Sequence, residues 1–110
     1  MRKVTILIPC FNEEACLNKL YTALADLMQQ NNSYAWEILF INDGSTDHTL
    51  NIIQQLRKKD NRICYINLSR NFGKENAMLA GFDNATGDCV VIMDADLQHP
   101  PHVIPLMLKK

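Results

Sequence analysis

Apolar positions along this chain follow two alternating rhythms. The first is a set of short continuous runs: Val4–Ile8, Glu37–Ile41, Ile63–Leu68 and Cys89–Met93. They end at Pro9, at Asn42-Asp43-Gly44, at Ser69-Arg70-Asn71 and at Asp94. Runs this short and this apolar predict strands buried on both faces, as in a parallel sheet. Between them the period lengthens. Leu17, Leu20, Tyr21, Leu24 and Leu27 keep the spacing of one helical face. Asn12 is the expected cap of that helix, with Glu13 and Glu14 in its first turn. Leu50, Ile53 and Leu56 form a second stripe behind the cap candidates Ser45, Thr46 and Asp47. Ala77, Met78, Ala80, Gly81 and Phe82 form a third, with small residues for close packing, and it ends near Ala85-Thr86-Gly87. A fourth helical pattern starts around Pro101 and is still running at Lys110.

The predicted order is β-α-β-α-β-α-β followed by the start of a helix. That order defines an α/β protein: a Rossmann-like open parallel sheet, doubly wound, with helices on both faces and right-handed crossovers. No repeat, low-complexity stretch or linker divides residues 1–110, so the whole length reads as one unit. A helical pattern still running at Lys110 leads us to expect that this unit is the N-terminal part of a longer domain.

Composition narrows the function classes. Hydrophobic residues are 47% of the chain, enough for a packed core. The formal net charge is -1, without the basic excess of a nucleic-acid binder. No apolar run approaches the ~20 residues that span a bilayer. Val4–Ile8 is too short for the apolar part of a signal peptide, so the chain itself reads as soluble and cytoplasmic. Cys10, Cys16, Cys64 and Cys89 form no C-x-x-C pair, which argues against a zinc site or a disulfide framework.

Chemistry gathers where the strands end. In open α/β sheets, ligands bind outside the carboxyl ends of the strands, at the switch in strand order. Here those ends run into Pro9-Cys10-Phe11-Asn12-Glu13, Asn42-Asp43-Gly44-Ser45, Ser69-Arg70-Asn71-Phe72-Gly73-Lys74 and Asp94-Ala95-Asp96-Leu97-Gln98-His99. The opposite rim has plainer turns, such as Asn31-Asn32-Ser33. Asp94-Ala95-Asp96 is the sharpest feature. If the chain stays extended past Met93, side chains two apart point the same way and two carboxylates converge. Such a pair calls for a cation, and oxygen ligands favour Mg²⁺ or Mn²⁺. Mg²⁺ takes one or two carboxylates and completes its shell with phosphate oxygens and water. The alternative is a solvated turn.

Asp43 divides between two readings: a turn and cap residue before Gly44, or a carboxylate accepting an N–H from a base. Arg70 and Lys74 are cations near a helix start, which suits phosphate, and the plainer reading is ordinary surface charge. Asn12 and Glu13 read first as a helix start and second as nucleotide contacts below Pro9. His48, His99 and His102 read as surface or loop residues.

Taken together, four segments resemble family-2 glycosyltransferases of the GT-A fold, and among them the polyprenyl-phosphate (dolichol- and bactoprenol-phosphate) sugar transferases. The segments are Ile8-Pro9-Cys10-Phe11-Asn12-Glu13-Glu14, Asn42-Asp43-Gly44-Ser45-Thr46-Asp47, Leu68-Ser69-Arg70-Asn71-Phe72-Gly73-Lys74-Glu75 and Met93-Asp94-Ala95-Asp96-Leu97-Gln98-His99-Pro100-Pro101. The resemblance implies that residues 1–110 are the nucleotide-sugar-binding half of a GT-A domain. It implies a nucleotide pocket lined by Pro9, Asn12 and Glu13, a base contact at Asp43, and catalytic Asp94 and Asp96. It also implies a metal held by Asp94, Asp96 and Gln98. The first and fourth strands would lie side by side.

The implied reaction transfers a sugar, with inversion, from a UDP- or GDP-sugar to a polyprenyl phosphate at the cytoplasmic face of the membrane. The acceptor half and any membrane helices would lie beyond Lys110, leaving this part inactive by itself. The fourth strand, internal in the family, would become an apolar edge prone to self-association. Asn42 departs from the family, which often has a second acid there.

Three other readings stand beside this one. One is a family-2 glycosyltransferase acting on a polysaccharide or cell-wall acceptor. A dinucleotide-binding Rossmann domain requires G-x-G-x-x-G after the first strand, where this chain has Pro9-Cys10-Phe11-Asn12-Glu13-Glu14. A non-catalytic phosphate-binding α/β module would also carry acids at strand ends, but does not call for the Asp94–Pro101 segment.

Overall fold

The computed structural model of the chain describes residues 2–95. The elements follow the predicted alternation: β1 (Lys3–Cys10), α1 (Leu17–Gln30), β2 (Ala35–Asp43), α2 (Thr49–Lys59), β3 (Ile63–Leu68), α3 (Lys74–Asn84) and β4 (Cys89–Ile92). The helix expected from Pro101 lies outside the described residues. All pairings are parallel, and the four-stranded sheet has the order β3-β2-β1-β4.

Side chains alternate across the sheet with a period of two, and each face has its own helices. On one face Val4, Ile6 and Ile8 of β1 and Ile38 and Phe40 of β2 pack with Leu17, Leu20 and Leu24 of α1 and Ile53 and Leu56 of α2. On the other, Leu7, Leu39 and Ile41 meet Ala77 of α3. Gly81 lets α3 approach this closely: a Cβ there would lie 2.4 Å from Leu7 Cδ1. Burial on both faces therefore holds for β1 and β2. It does not hold for the outer pair. Burial alternates along β3, with Tyr65 36% exposed, and Ile92 of β4 is 41% exposed. A parallel strand is enclosed only where it has neighbours on both sides, and among the described strands β3 and β4 are the edges.

Several boundaries differ from the sequence expectation: β2 runs on through Asp43 and β4 stops at Ile92. Pro9 does not close β1, which continues to Cys10 and pairs there with Asn42. Odd-numbered positions of β1 face β4, as the bonds from Asp88 N–H to the Lys3 carbonyl and from Met93 N–H to the Leu7 carbonyl show. The registered β1–β4 pairs stop at Leu7 and Ile92. The N–H that Pro9 lacks would therefore face a stretch with no ladder to join. Helix α1 begins at Leu17 with Cys16 at its N-cap, so Asn12 does not cap it, and no acid stands in its first turn.

The amino-terminal rim of the sheet is held by polar side chains. Glu37, 8% exposed, accepts from the Thr5 and Thr86 hydroxyls and from Thr86 N–H. The Thr5 oxygen in turn accepts from Gly87 N–H at 2.9 Å. Burial works against the Glu37 charge, but these bonds and the Lys3 ammonium outweigh it and hold the carboxyl below its usual range. The α3–β4 turn is thereby tied to β1 and β2, and the register of β4 with it. Asp60, after α2, binds Arg62 through both carboxylate oxygens and accepts from the Tyr21 hydroxyl of α1. Arg62 holds the Asp60 carboxyl down to about 2, against the opposing effect of burial. Its stabilisation is full above the ordinary carboxylate pKa of about 4 and is lost as pH falls towards 2.

Candidate active site

The order β3-β2-β1-β4 turns back at β1, so the crevice at the switch point opens between the ends of β1 and β4. A cleft of about 350 Å³ lies there. The β1 end contributes Pro9, Cys10, Phe11 and Glu13, and β2 contributes Asp43. The β3–α3 loop and α3 contribute Asn71 and Lys74, and Asp94 and Ala95 complete the wall after β4. Of the residues singled out from sequence, Pro9, Glu13, Asp43, Lys74 and Asp94 thus share one cavity. Asp96 and Gln98 lie outside the described residues, as do His99 and the prolines after it.

Asn12 stands behind the wall, in a role that local spacing did not suggest. Its φ of 54° is left-handed. Its side-chain oxygen accepts from Thr46 N–H at 2.8 Å and Asp47 N–H at 3.3 Å, while its own N–H donates to Ser45 Oγ. Glu13 N–H donates to Thr49 Oγ1, and Glu14 N–H to Asp47 Oδ2. The loop after β1 is therefore stitched to the start of α2. None of the cap candidates Ser45, Thr46 and Asp47 is the N-cap of α2, which is His48, but Asp47 just before it accepts Thr49 N–H at 2.9 Å. Burial opposes its charge, yet the bonds from Thr49 and Glu14 prevail and keep its carboxyl below the usual value.

Asp43 is 3% exposed, and its two oxygens accept Phe72 N–H at 2.8 Å and Gly73 N–H at 3.1 Å. The carboxylate anchors the β3–α3 loop and lines the cleft, and each of its oxygens can accept a further hydrogen bond. Gly44 makes this approach possible. Its φ is +69°, and a Cβ there would sit 2.3 Å from both Arg70 C and Asn71 N. The Arg70 guanidinium lies 4.7 Å from the centre of the Phe72 ring and is not part of the cleft wall. Lys74 is in the wall, and its Nζ donates to Asp94 Oδ1 at 2.7 Å. Burial, with a smaller contribution from Glu13, pushes the Cys10 thiol far up, so it is a protonated wall residue and not a nucleophile.

Cys10, Phe11, Asn71 and Ala95 also line the cleft, inside the strand-end segments but without a role assigned to them from sequence. Phe11, 43% exposed between predicted contacts, carried the clearest signal. The contact of Gly44 with residues 70 and 71 had none in local sequence.

The charges define what the cleft can take. Glu13, Asp43 and Asp94 oppose Lys74, an excess of acid that repels a phosphate chain unless a further cation is present. Among the described residues, no group of three or more His, Cys, Asp and Glu side chains could hold a metal by itself. Asp94, with its side chain 27% exposed at the cleft, still offers a hard oxygen ligand. This donor set fits a divalent ion whose shell is completed by substrate phosphates, and does not fit a closed protein cage.

A doubly wound sheet with acids and a lysine around its switch point is a ligand-binding architecture of open α/β proteins. The chain belongs to glycosyl transferase family 2, which it matches over residues 5–110. It is 43% identical over 108 residues to the prophage bactoprenol glucosyl transferase homolog of Escherichia coli (strain K12), covering 98% of this chain and 35% of that protein. Among solved structures it resembles S. aureus TarS 1–349 in complex with UDP, with TM-score 0.72 and 27% identity over 86% of this chain and 27% of that one. It also resembles the mannosyltransferase PcManGT from Pyrobaculum calidifontis in complex with GDP-Man and Mn²⁺, with TM-score 0.74 and 23% identity over 86% and 28% of the two chains. The fold is the Rossmann-like sheet of GT-A glycosyltransferases. The chain spans about a third of the length of the curated relatives it matches. Among the described residues no helix is long and apolar enough to cross a membrane.

Proposed function

We propose that this chain binds the nucleotide and diphosphate of a sugar donor, a UDP-sugar in our reading, together with Mg²⁺ or Mn²⁺. We further propose that it forms the donor half of an enzyme that glycosylates a polyprenyl phosphate at the cytoplasmic face of the membrane. The observation that carries this reading is the cleft between β1 and β4, where Asp43, Lys74 and Asp94 meet. Family membership, the bactoprenol transferase relative and the UDP complex of a structural neighbour support it.

In this reading Pro9, Asn12 and Glu13 shape the nucleotide pocket, and Asp43 meets the base with the acceptor capacity its loop contacts leave. Lys74, with Arg70 from the adjoining loop, faces the phosphates. Asp94 binds the metal, with Asp96 and Gln98 assigned to it from the Asp94–Gln98 motif. The metal, when bound, offsets the charge that builds on the departing diphosphate. In the transfer, an acceptor phosphate oxygen forms a bond to the anomeric carbon as the bond from that carbon to the diphosphate breaks, with inversion. An acceptor already anionic has little need of a strong base, so the protein's contribution is placement and charge.

Calorimetry separates this function from a dinucleotide-binding one. UDP should bind this chain measurably only with Mn²⁺ present, and NAD⁺ should not compete. Selective NAD⁺ binding, or UDP binding indifferent to Mn²⁺, contradicts the proposal.

A further inference from the structure

Lys74 stands where a metal-bound donor would need a different arrangement. It opens α3, and its ammonium spans to Asp94, twenty residues on in the loop after β4, with Nζ 2.7 Å from Oδ1. It is the one Lys or Arg among the described residues of the cleft wall, facing Glu13, Asp43 and Asp94. Of the carboxylates in the wall, Asp94 is the one with which Lys74 forms an ion pair, while the two Asp43 oxygens accept the N–H groups of Phe72 and Gly73.

The pair is accessible, with side chains 58% and 27% exposed. An ion pair this exposed is weak and exchanges partners readily. A divalent ion arriving at Asp94 would meet the Lys74 charge a few ångströms away, and like charges at that distance repel. A diphosphate arriving with the ion gives Lys74 another anion to move to.

We propose that Lys74 is a stand-in cation for Asp94 in the donor-free protein. It blocks the divalent ion when that ion comes alone and transfers to the diphosphate when the two come together. This rests on the donor-site reading above and adds a consequence to it: nucleotide and metal bind cooperatively, and Lys74 is a source of the coupling. Coupling of this kind is reciprocal, so each ligand tightens the other by the same factor.

The test is calorimetric titration of Mn²⁺ into this chain, with and without saturating UDP, for the wild type, Lys74→Met and Lys74→Arg. Lys74→Met should bind Mn²⁺ alone roughly tenfold more tightly than the wild type, within the range of ordinary couplings. The tightening of Mn²⁺ by UDP should shrink by a similar factor. Lys74→Arg, which keeps the charge, should restore weak binding of the lone metal. A residue that merely supports the fold cannot produce the gain, because its loss only weakens binding, and the exposed pair leaves the melting temperature of Lys74→Met near that of the wild type. If Lys74→Met binds Mn²⁺ no more tightly and the UDP coupling is intact, the stand-in role is wrong while the donor site stands. If the wild type takes up no Mn²⁺ even with UDP, the donor-site reading falls and this inference falls with it.

Discussion

Replacing Asp94 with Asn should weaken UDP binding in the presence of Mn²⁺ by on the order of 100-fold or more, since losing even an outer-shell partner of a metal costs about 10–100-fold. The change keeps the shape of the side chain and removes one charge. Its carboxylate is the acid presented after β4, and its position is tied to Ala95, 2% exposed, and Met93, 1% exposed, which anchor the segment in the core. Because the side chain itself is 27% exposed, the fold should tolerate the substitution, and thermal melting should shift by a few degrees at most. The comparison that isolates the charge is UDP affinity with and without Mn²⁺. The variant should lose most of the difference between the two, and a variant that retains the full difference contradicts the role given to Asp94.

The second large effect falls on a residue that touches no ligand. Gly44→Ala combines two costs. A residue with a side chain at φ +69° is strained, and its Cβ would lie 2.3 Å from the backbone at Arg70 and Asn71. A side chain in the way can rotate, but a backbone held by Asp43 through Phe72 and Gly73 has to move as a loop. Destabilisation of about 3 kcal/mol, the upper end for a strained position, corresponds to a fall in melting temperature of roughly 10–20 °C. Gly73→Ala is the control. Its φ of +96° also disfavours a side chain, yet no atom stands within 4 Å of the added Cβ. With ψ 154° it lies in a region essentially confined to glycine, so its fall reports backbone strain without a clash. A Gly44→Ala melting temperature within a few degrees of the wild type would mean that the close passage of the β3–α3 loop across Gly44 is not what that glycine serves.

These two residues also show what sequence reveals and what it hides. The strands were legible because Ile6–Ile8 and Ile38–Ile41 are apolar without interruption, and a parallel strand under helices on both faces has little polar surface to display. The acids and cations at their carboxyl ends were legible for the same reason, as abrupt changes in chemistry at the one rim where such sheets bind ligands. Tertiary partners were not legible. Asn12 has the chemistry of a helix cap, but at φ 54° it serves the start of another helix, 34 residues along the chain, and α1 begins later without it. The exposure of β3 and β4 depends on their position in the sheet, which Tyr65 and Ile92 do not announce. Asp43 looked like either a turn residue or a base contact. Its carboxylate fastens a loop while lining the cleft, so the two alternatives were not exclusive.

The central claim is that the crevice between β1 and β4 takes a diphosphate through a divalent ion held at Asp94. Crystals of this chain grown with UDP and Mn²⁺ test it most directly, through the anomalous signal of the manganese. The account predicts a single strong peak at bonding distance from an Asp94 carboxylate oxygen, with diphosphate density on its far side and the uracil towards Asp43. Nucleotide density in that crevice without a manganese peak, or manganese bound away from Asp94, would contradict it.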